Sequence, residues 1–515
     1  MCRYWRALVD LRHEASAGFA AEAAARVSGT IGAAAVCPGP GFTNVLTSLT
    51  NARADRTPVL YLVSSNPDGT QESNGLQVGL DHVAVASPIA KWAAKVATPL
   101  HLARLVAQAI RIATTAPCGP VLLDVPADIL GGPAVDGSRH YAVHVDAARV
   151  ANADVDRCLN LLVAAARPAV LVGHTASARA RAALATFATQ SGVPCFLDYR
   201  AVGALADDHP AYGGTLYQLA RLPSDARPDV VLAVGVQFGF DTPGLRDGGV
   251  AWGAVIIHVE TDPAEVGRFS TGPADLVADP DQMLVGMASR ATSTEWHVAA
   301  EWNAVVQNAR SDTRAKLDAI SAADGERVHP YAASRIVSDA VATSGAILIG
   351  DGAVCKHWLH DALRLPAGAV YLTHGRFGCM GTGLGLAIGS AVTMPARPVL
   401  CVTGDGALGF TIGEFEAMVR HQLPITIVVL NNARWGASQG FQMRPGSRQR
   451  VVGTDLSDAD YHNVMIAFGG QGSRVDSVDE LASALAAALA SGQPTCINVS
   501  TSNLGVAPEI PFLNA

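Results

Sequence analysis

Arg397-Pro-Val-Leu-Cys-Val-Thr-Gly404-Asp405-Gly406, a helical segment, then Ile427-Val-Val-Leu-Asn431-Asn432-Ala-Arg-Trp-Gly436: this stretch decides the fold. Residues 398–403 form a short apolar run suited to a buried parallel strand. Residues 411–422 carry Ile412, Phe415, Met418 and Val419 at helical spacing. Leu423-Pro424 stops that helix, and residues 425–430 make a second buried strand. Strand, helix and strand form a βαβ unit, so the two strands run parallel. Asp405 and Asn432 then both emerge at the carboxyl edge of the sheet, where open α/β sheets bind ligands.

The residue types define a chemistry. A carboxylate and an amide oxygen are hard donors for Mg²⁺ or Ca²⁺. Two side chains leave such an ion unsaturated, so backbone carbonyls, water or phosphate oxygens must complete it. The glycines let backbone N–H groups approach a phosphate, and the following helix start attracts anions. A metal-bridged diphosphate is the expected occupant. The plainer alternative is a tight glycine turn beside a polar strand end.

Gly404-Asp405-Gly406, followed about 25 residues later by Asn431-Asn432, resembles the signature of the thiamine-diphosphate (ThDP) enzymes. The longer stretch 431–442, NNARWGASQGFQ, with YHNVMIAFGGQGSRVDSV after it, is similar to the benzaldehyde lyase branch. The likeness runs from about Ala7 to the C-terminus. It implies three doubly wound α/β domains with parallel sheets: a pyrimidine-binding domain (1–145), a central domain (146–325) and a diphosphate-binding domain (326–515). The first is expected to be truncated, since the chain starts where the family already has a strand, a turn and a helix. That segment holds a histidine which, in the lyase branch, handles the substrate hydroxyl proton. His13 and His82 are the candidates to replace it.

Composition agrees with such a protein. At 515 residues, three domains are the expectation. Apolar content of 49% supplies several cores, and 50 glycines allow many tight turns. A net charge of −8 argues against a nucleic-acid footprint. No apolar stretch reaches membrane-spanning length, and the N-terminus lacks a signal-peptide layout. Nine cysteines without a Cys-x-x-Cys pattern suggest neither zinc nor redox chemistry and favour the cytoplasm.

Along the chain, residues 7–11 read as a strand and 15–27 as an alanine-rich helix. Strands at 33–37, 59–63 and 121–125 and a helix at 101–113 follow. Residues 131–152 read as a linker. The central domain shows strands at 169–172, 195–197, 230–234 and 255–259. Gly173-His174-Thr175 does not supply a dinucleotide fingerprint, so FAD is not expected there and the domain is read as structural. A helical stretch at 297–325 leads to a strand at 347–349. The run 374–389, HGRFGCMGTGLGLAIG, has glycines suited to close helix–sheet packing or to approach of backbone to a cofactor. Gly436-Ala-Ser438-Gln-Gly440 matches the hydrolase elbow formally, but the serine lies several residues past the strand end.

Site residues follow from the resemblance. Asp405, Asn432 and the carbonyl of Arg434 are implied as Mg²⁺ ligands. Gly352, Ala353, His374, Gly406, Ala407, Trp435 and Gly436 match cofactor-contacting positions. Met380 matches the bulky residue that props ThDP into a bent shape. Glu14, in the segment RHEASAG, matches the acid that hydrogen-bonds N1′ of the aminopyrimidine and thereby promotes loss of the C2 proton. Gln77 matches a glutamine that binds the substrate oxygen, and Ala437 a small pocket-lining residue. Ala127 departs from the lyase branch, which has a tryptophan there, so its pocket should be wider. The implied activity is a lyase or carboligase acting on 2-hydroxyketones and aldehydes. Acetolactate-synthase-like ligation or decarboxylation of 2-keto acids is the alternative, and a silent ThDP-binding homologue the second. The resemblance also implies a homodimer or homotetramer with sites shared between subunits.

Overall fold

The computed structural model describes residues 8–67, 70, 76–77, 79–133, 150–174, 177–239, 249–269, 272–322, 327–444, 446–447 and 450–502. Sixteen strands are described, in three sheets whose every pairing is parallel. The first sheet holds β1 (Gly32–Val36), β2 (Val59–Ser65), β3 (Trp92–Lys95) and β4 (Val121–Pro126), in the order β1-β2-β4-β3. The second holds β5 (Pro168–Val172), β6 (Cys195–Leu197), β7 (Tyr212–Thr215), β8 (Val230–Val234), β9 (Val255–Glu260) and β10 (Leu276–Val277), in the order β10-β9-β8-β5-β6-β7. The third holds β11 (Ile347–Gly350), β12 (Tyr371–Thr373), β13 (Val399–Gly404), β14 (Ile425–Asn431), β15 (Gln471–Val475) and β16 (Thr495–Ser500), in the order β12-β11-β13-β14-β16-β15.

Helices cover both faces of the third sheet, which is why its central strands read as unbroken apolar runs. All seven residues of β14 are buried. Each buried Val, Leu or Ile there contributes about 1.5–3 kcal/mol. From β11 the chain crosses to β12 on one side, then returns to β13 on the other, so strand order reverses between β11 and β13. The carboxyl ends of these two strands flank the crevice in which α/β sheets place ligands.

The first and third domains meet helix to helix. Helix Glu14–Ser28 lies against helix Gly383–Thr393. A Cβ on Gly385 would sit 2.7 Å from the Ser16 carbonyl oxygen, and one on Gly389 2.1 Å from that of Ala20. Charged side chains tie the central domain to both neighbours. Arg56 pairs with Glu260 at 2.7 Å and Asp262 at 3.1 Å. Arg376 donates to the Phe238 carbonyl at 2.6 Å, and its backbone N–H to Asp55 at 3.1 Å.

Several sequence expectations are corrected. Residues 8–11 form no strand; they run along the third domain, with Val9 and Leu11 packed on its core, and Ala7 lies outside the described residues. The helix expected over 411–422 is shorter, Glu414–Arg420, and a separate turn of helix, Asp405–Leu408, precedes it. Gly409 and Gly413 separate the two. Most of the linker expected at 131–152 lies outside the described residues.

Candidate active site

The end of β13 and the loop after β14 build one wall of a pocket. Gly404 closes the strand, and Asp405 begins the short helix that follows. Asp405 is 3% exposed, and its Oδ2 has no hydrogen-bond partner among the described residues. Burial raises its carboxyl to about 6, against hydrogen bonds from backbone groups of Gly406, Arg434 and Ala433 that favour the anion. A buried carboxylate with a bare oxygen calls for a cation.

The two asparagines divide the work. Asn431 Nδ2 donates to Asp458 Oδ1 and to the Ala459 carbonyl, both at 3.2 Å, which pins the loop. Asn432 lines the pocket, and its Oδ1 accepts the Arg434 N–H at 3.2 Å. Between them, Ala433 adopts φ +55°, a left-handed conformation that costs a non-glycine residue about 1–2 kcal/mol. That twist folds Arg434 back under Asn432. The Arg434 side chain turns away to Asp455, 3.5 Å distant.

The opposite wall comes from β11. Gly352 takes φ +84°, and its carbonyl lies 3.2 Å from His374 Nε2. Asp351 Oδ1 accepts the Gly352 N–H at 2.7 Å and Oδ2 accepts the Gly383 N–H at 3.0 Å, which joins the turn to the glycine-rich helix. The pocket is lined by Gly352, Ala353, Met380, Asp405, Gly406, Ala407, Asn432, Arg434, Trp435, Gly436 and Ala437, together with Val354, Trp358 and Ser438 among others. A Cβ on Gly406 would lie 2.6 Å from the Trp435 ring, so glycine is what lets the indole close against that backbone.

Four expected residues lie outside that lining. His374 is buried beside it; burial, then the charge of Lys356, lowers its imidazole to about 3, so the ring is neutral and serves the Gly352 turn. Glu14, Gln77 and Ala127 belong to the first domain. Glu14 Oε2 accepts from Asn44 Nδ2 at 3.0 Å, and its Oε1 faces Gly41. Gln77, at φ +62°, packs against Gly39, the residue that precedes helix Pro40–Ala54. Ala127 directly follows β4 and is exposed at the carboxyl edge of that sheet. The two candidate replacement histidines have partners of their own. His13 Nδ1 accepts the Ala15 N–H at 3.1 Å as a helix cap, and His82 Nδ1 lies 3.3 Å from the buried Asp124. Ser438 sits inside helix Gly436–Gln442, not at a strand-to-helix turn, so no hydrolase elbow forms.

Three family profiles match this chain. "Thiamine pyrophosphate enzyme, N-terminal TPP binding domain" covers residues 6–85, the central domain of the same family covers 155–287, and the C-terminal TPP binding domain covers 351–499. The chain belongs to the thiamine pyrophosphate enzymes. It is 31% identical over 511 residues to a probable acetolactate synthase of Mycobacterium bovis, covering 96% of this chain and 88% of that one. It is 29% identical over 502 residues to oxalyl-CoA decarboxylase of Escherichia coli, covering 95% and 87%. It is 28% identical over 515 residues to 2-hydroxyacyl-CoA lyase 2 of Bos taurus, covering 90% and 78%.

The residues present fit the cofactor that the family name carries. The bare Asp405 oxygen, the Asn432 amide and the Arg434 turn offer hard oxygen donors. Among the described residues no cluster of three His, Cys, Asp or Glu side chains gathers for a metal. A mixed site completed by phosphate oxygens is the arrangement consistent with this donor set. No described helix is long and apolar enough to cross a membrane.

Proposed function

We propose that this thiamine pyrophosphate enzyme is a Mg²⁺-dependent lyase and carboligase for 2-hydroxyketones and aldehydes, of the benzaldehyde lyase kind. The observation that carries this choice is the character of the pocket. Met380, Trp435 and Ala437 are apolar, and Phe410 packs edge-on to Trp435 at 6.2 Å. Among the described lining residues Arg434 is the one cationic side chain, and Asp455 pairs with it. A neutral aldehyde or ketone suits such walls. A 2-keto acid would bring a carboxylate with no free cation to meet it.

ThDP, when bound, supplies a carbon centre that stabilises negative charge on a former carbonyl carbon. The chain's own part is positioning and proton handling. Asp405, Asn432 and the Arg434 carbonyl would hold Mg²⁺ and with it the diphosphate. Gly352, Ala353, Gly406 and Ala407 leave backbone free to approach that group. Met380 and Trp435 set the orientation of the rings. Glu14 Oε1 would share a proton with the pyrimidine, and Gln77 would bind the substrate oxygen. FAD plays no part in this scheme.

Glu14 and Gln77 lie on the first domain, outside the diphosphate-side pocket, which supports a homodimer or homotetramer that shares each site between subunits. Sedimentation with ThDP and Mg²⁺ should show a dimer or larger; a monomer would contradict that arrangement. Activity is tested with a panel of a 2-hydroxyketone, pyruvate and a 2-hydroxyacyl-CoA thioester. The hydroxyketone should be preferred in kcat/KM by about tenfold or more, a margin of about 1.4 kcal/mol. Turnover confined to pyruvate, yielding acetolactate, would replace this proposal with the ligation of 2-keto acids. Turnover confined to the thioester would also overturn it.

A further inference from the structure

Glu414 is a buried acid that the scheme above does not use. It begins helix Glu414–Arg420, nine residues after Asp405, and is 1% exposed. Its carboxylate reaches across to the first domain. Oε2 accepts the Arg12 N–H and Oε1 the His13 N–H, both at 3.0 Å. These are the two backbone donors directly ahead of Glu14, the first residue of helix Glu14–Ser28. His13 is that helix's N-cap, and its Nδ1 takes the Ala15 N–H, so a side chain from another domain completes the cap. Burial raises the Glu414 carboxyl, while the bonds from the Arg12 and His13 backbone oppose that rise.

We infer that Glu414 is a positioning residue that fixes the entry of helix Glu14–Ser28, and with it the direction of the Glu14 carboxylate, by holding the Arg12 and His13 backbone against the third domain of its own chain. The inference rests on the reading of Glu14 as the acid that activates ThDP. Other ties between these segments are exposed ion pairs, Asp10 with Arg420 at 2.6 Å and Arg12 with Glu416 at 3.8 Å. Exposed pairs of this kind hold little. Glu414 makes two charge-assisted bonds away from water, which are stronger and more directional. A misplacement of about 1 Å at an acting group is enough to cost about a hundredfold in rate.

The test uses the full chain with Glu414→Gln and Glu414→Ala. Gln keeps one acceptor and volume; Ala removes both acceptors. Without cofactor, hydrogen exchange of the amides of residues 12–16 should quicken by about tenfold or more in Glu414→Ala, and by less in Glu414→Gln. With ThDP and Mg²⁺, exchange of the bound cofactor's C2 proton should slow by about tenfold or more, while ThDP affinity changes by less than about threefold. That split separates positioning from general loss of structure. Unchanged amide exchange would overturn the inference. So would faster amide exchange with C2 exchange intact, or equal losses in affinity and C2 exchange. C2 exchange already as slow in the wild type as in free ThDP would overturn the role of Glu14 and this inference with it; slowing seen only in the variants supports both.

Discussion

Gly406 shows how tightly the pocket is specified at the level of single residues. A methyl group there would meet the Trp435 ring at 2.6 and 2.8 Å, well inside contact distance. Gly406→Ala should therefore displace the indole. We expect ThDP affinity, followed by tryptophan fluorescence, to drop about tenfold, and stability to fall by about 1–3 kcal/mol. Unchanged affinity would mean the ring does not touch the cofactor. The Gly-Asp-Gly and Asn-Asn residues were legible in the sequence because each meets a local need: a tight turn, a hard donor, a strand end. Their division of labour was not. Asn431 pins its own loop through Asp458 and Ala459, which are close only in the fold. The left-handed Ala433 and the bonds to Glu414 were equally invisible, since both depend on partners far along the chain.

At the scale of elements, the run 374–389 carried more than the sequence suggested. Its glycines were expected to serve sheet packing or cofactor approach. Gly383 does sit against Cys401 of β13. Gly385 and Gly389 instead let two helices of different domains meet backbone to backbone. Gly389→Ala should cost about 1–3 kcal/mol in denaturant unfolding, because the obstacle is the Ala20 carbonyl and not a side chain that can swing away. A midpoint equal to wild type would show that the helices part freely. The central strands were readable as apolar runs, except β16, whose buried Thr495, Asn498 and Ser500 interrupt its apolar residues. The other unread strands, β3, β7, β10, β12 and β15, all lie at sheet edges. An edge strand need not be apolar on both faces, so its sequence carries a weaker signal.

Across the whole molecule, the domain seams bury charge. Glu22 is fully buried; Arg26 lies 3.6 Å away and Asn51 donates to it at 2.9 Å. Burial first, then the charge of Asp55, raises the Glu22 carboxyl above its ordinary 4.5. Burial likewise raises Asp55. A raised folded-state pKa means that the native protein keeps the proton to higher pH than the unfolded chain does. The stability contributed by Glu22 is therefore present at low pH and declines as pH climbs from about 4.5 upward. Thermal midpoints should fall between about pH 5 and about pH 8, and Glu22→Gln, which stays neutral, should flatten that fall. Parallel profiles for variant and wild type would contradict it.

The central claim is that Asp405 and Asn432 anchor a divalent ion and, through it, the diphosphate of ThDP. Calorimetric titration of the purified chain with ThDP in excess Mg²⁺ tests it most directly. Saturable binding with one ThDP per chain is expected. Asp405→Ala should weaken it by about a hundredfold, roughly 2.7 kcal/mol. No binding heat in the wild type, or an affinity that Asp405→Ala leaves untouched, would contradict the account.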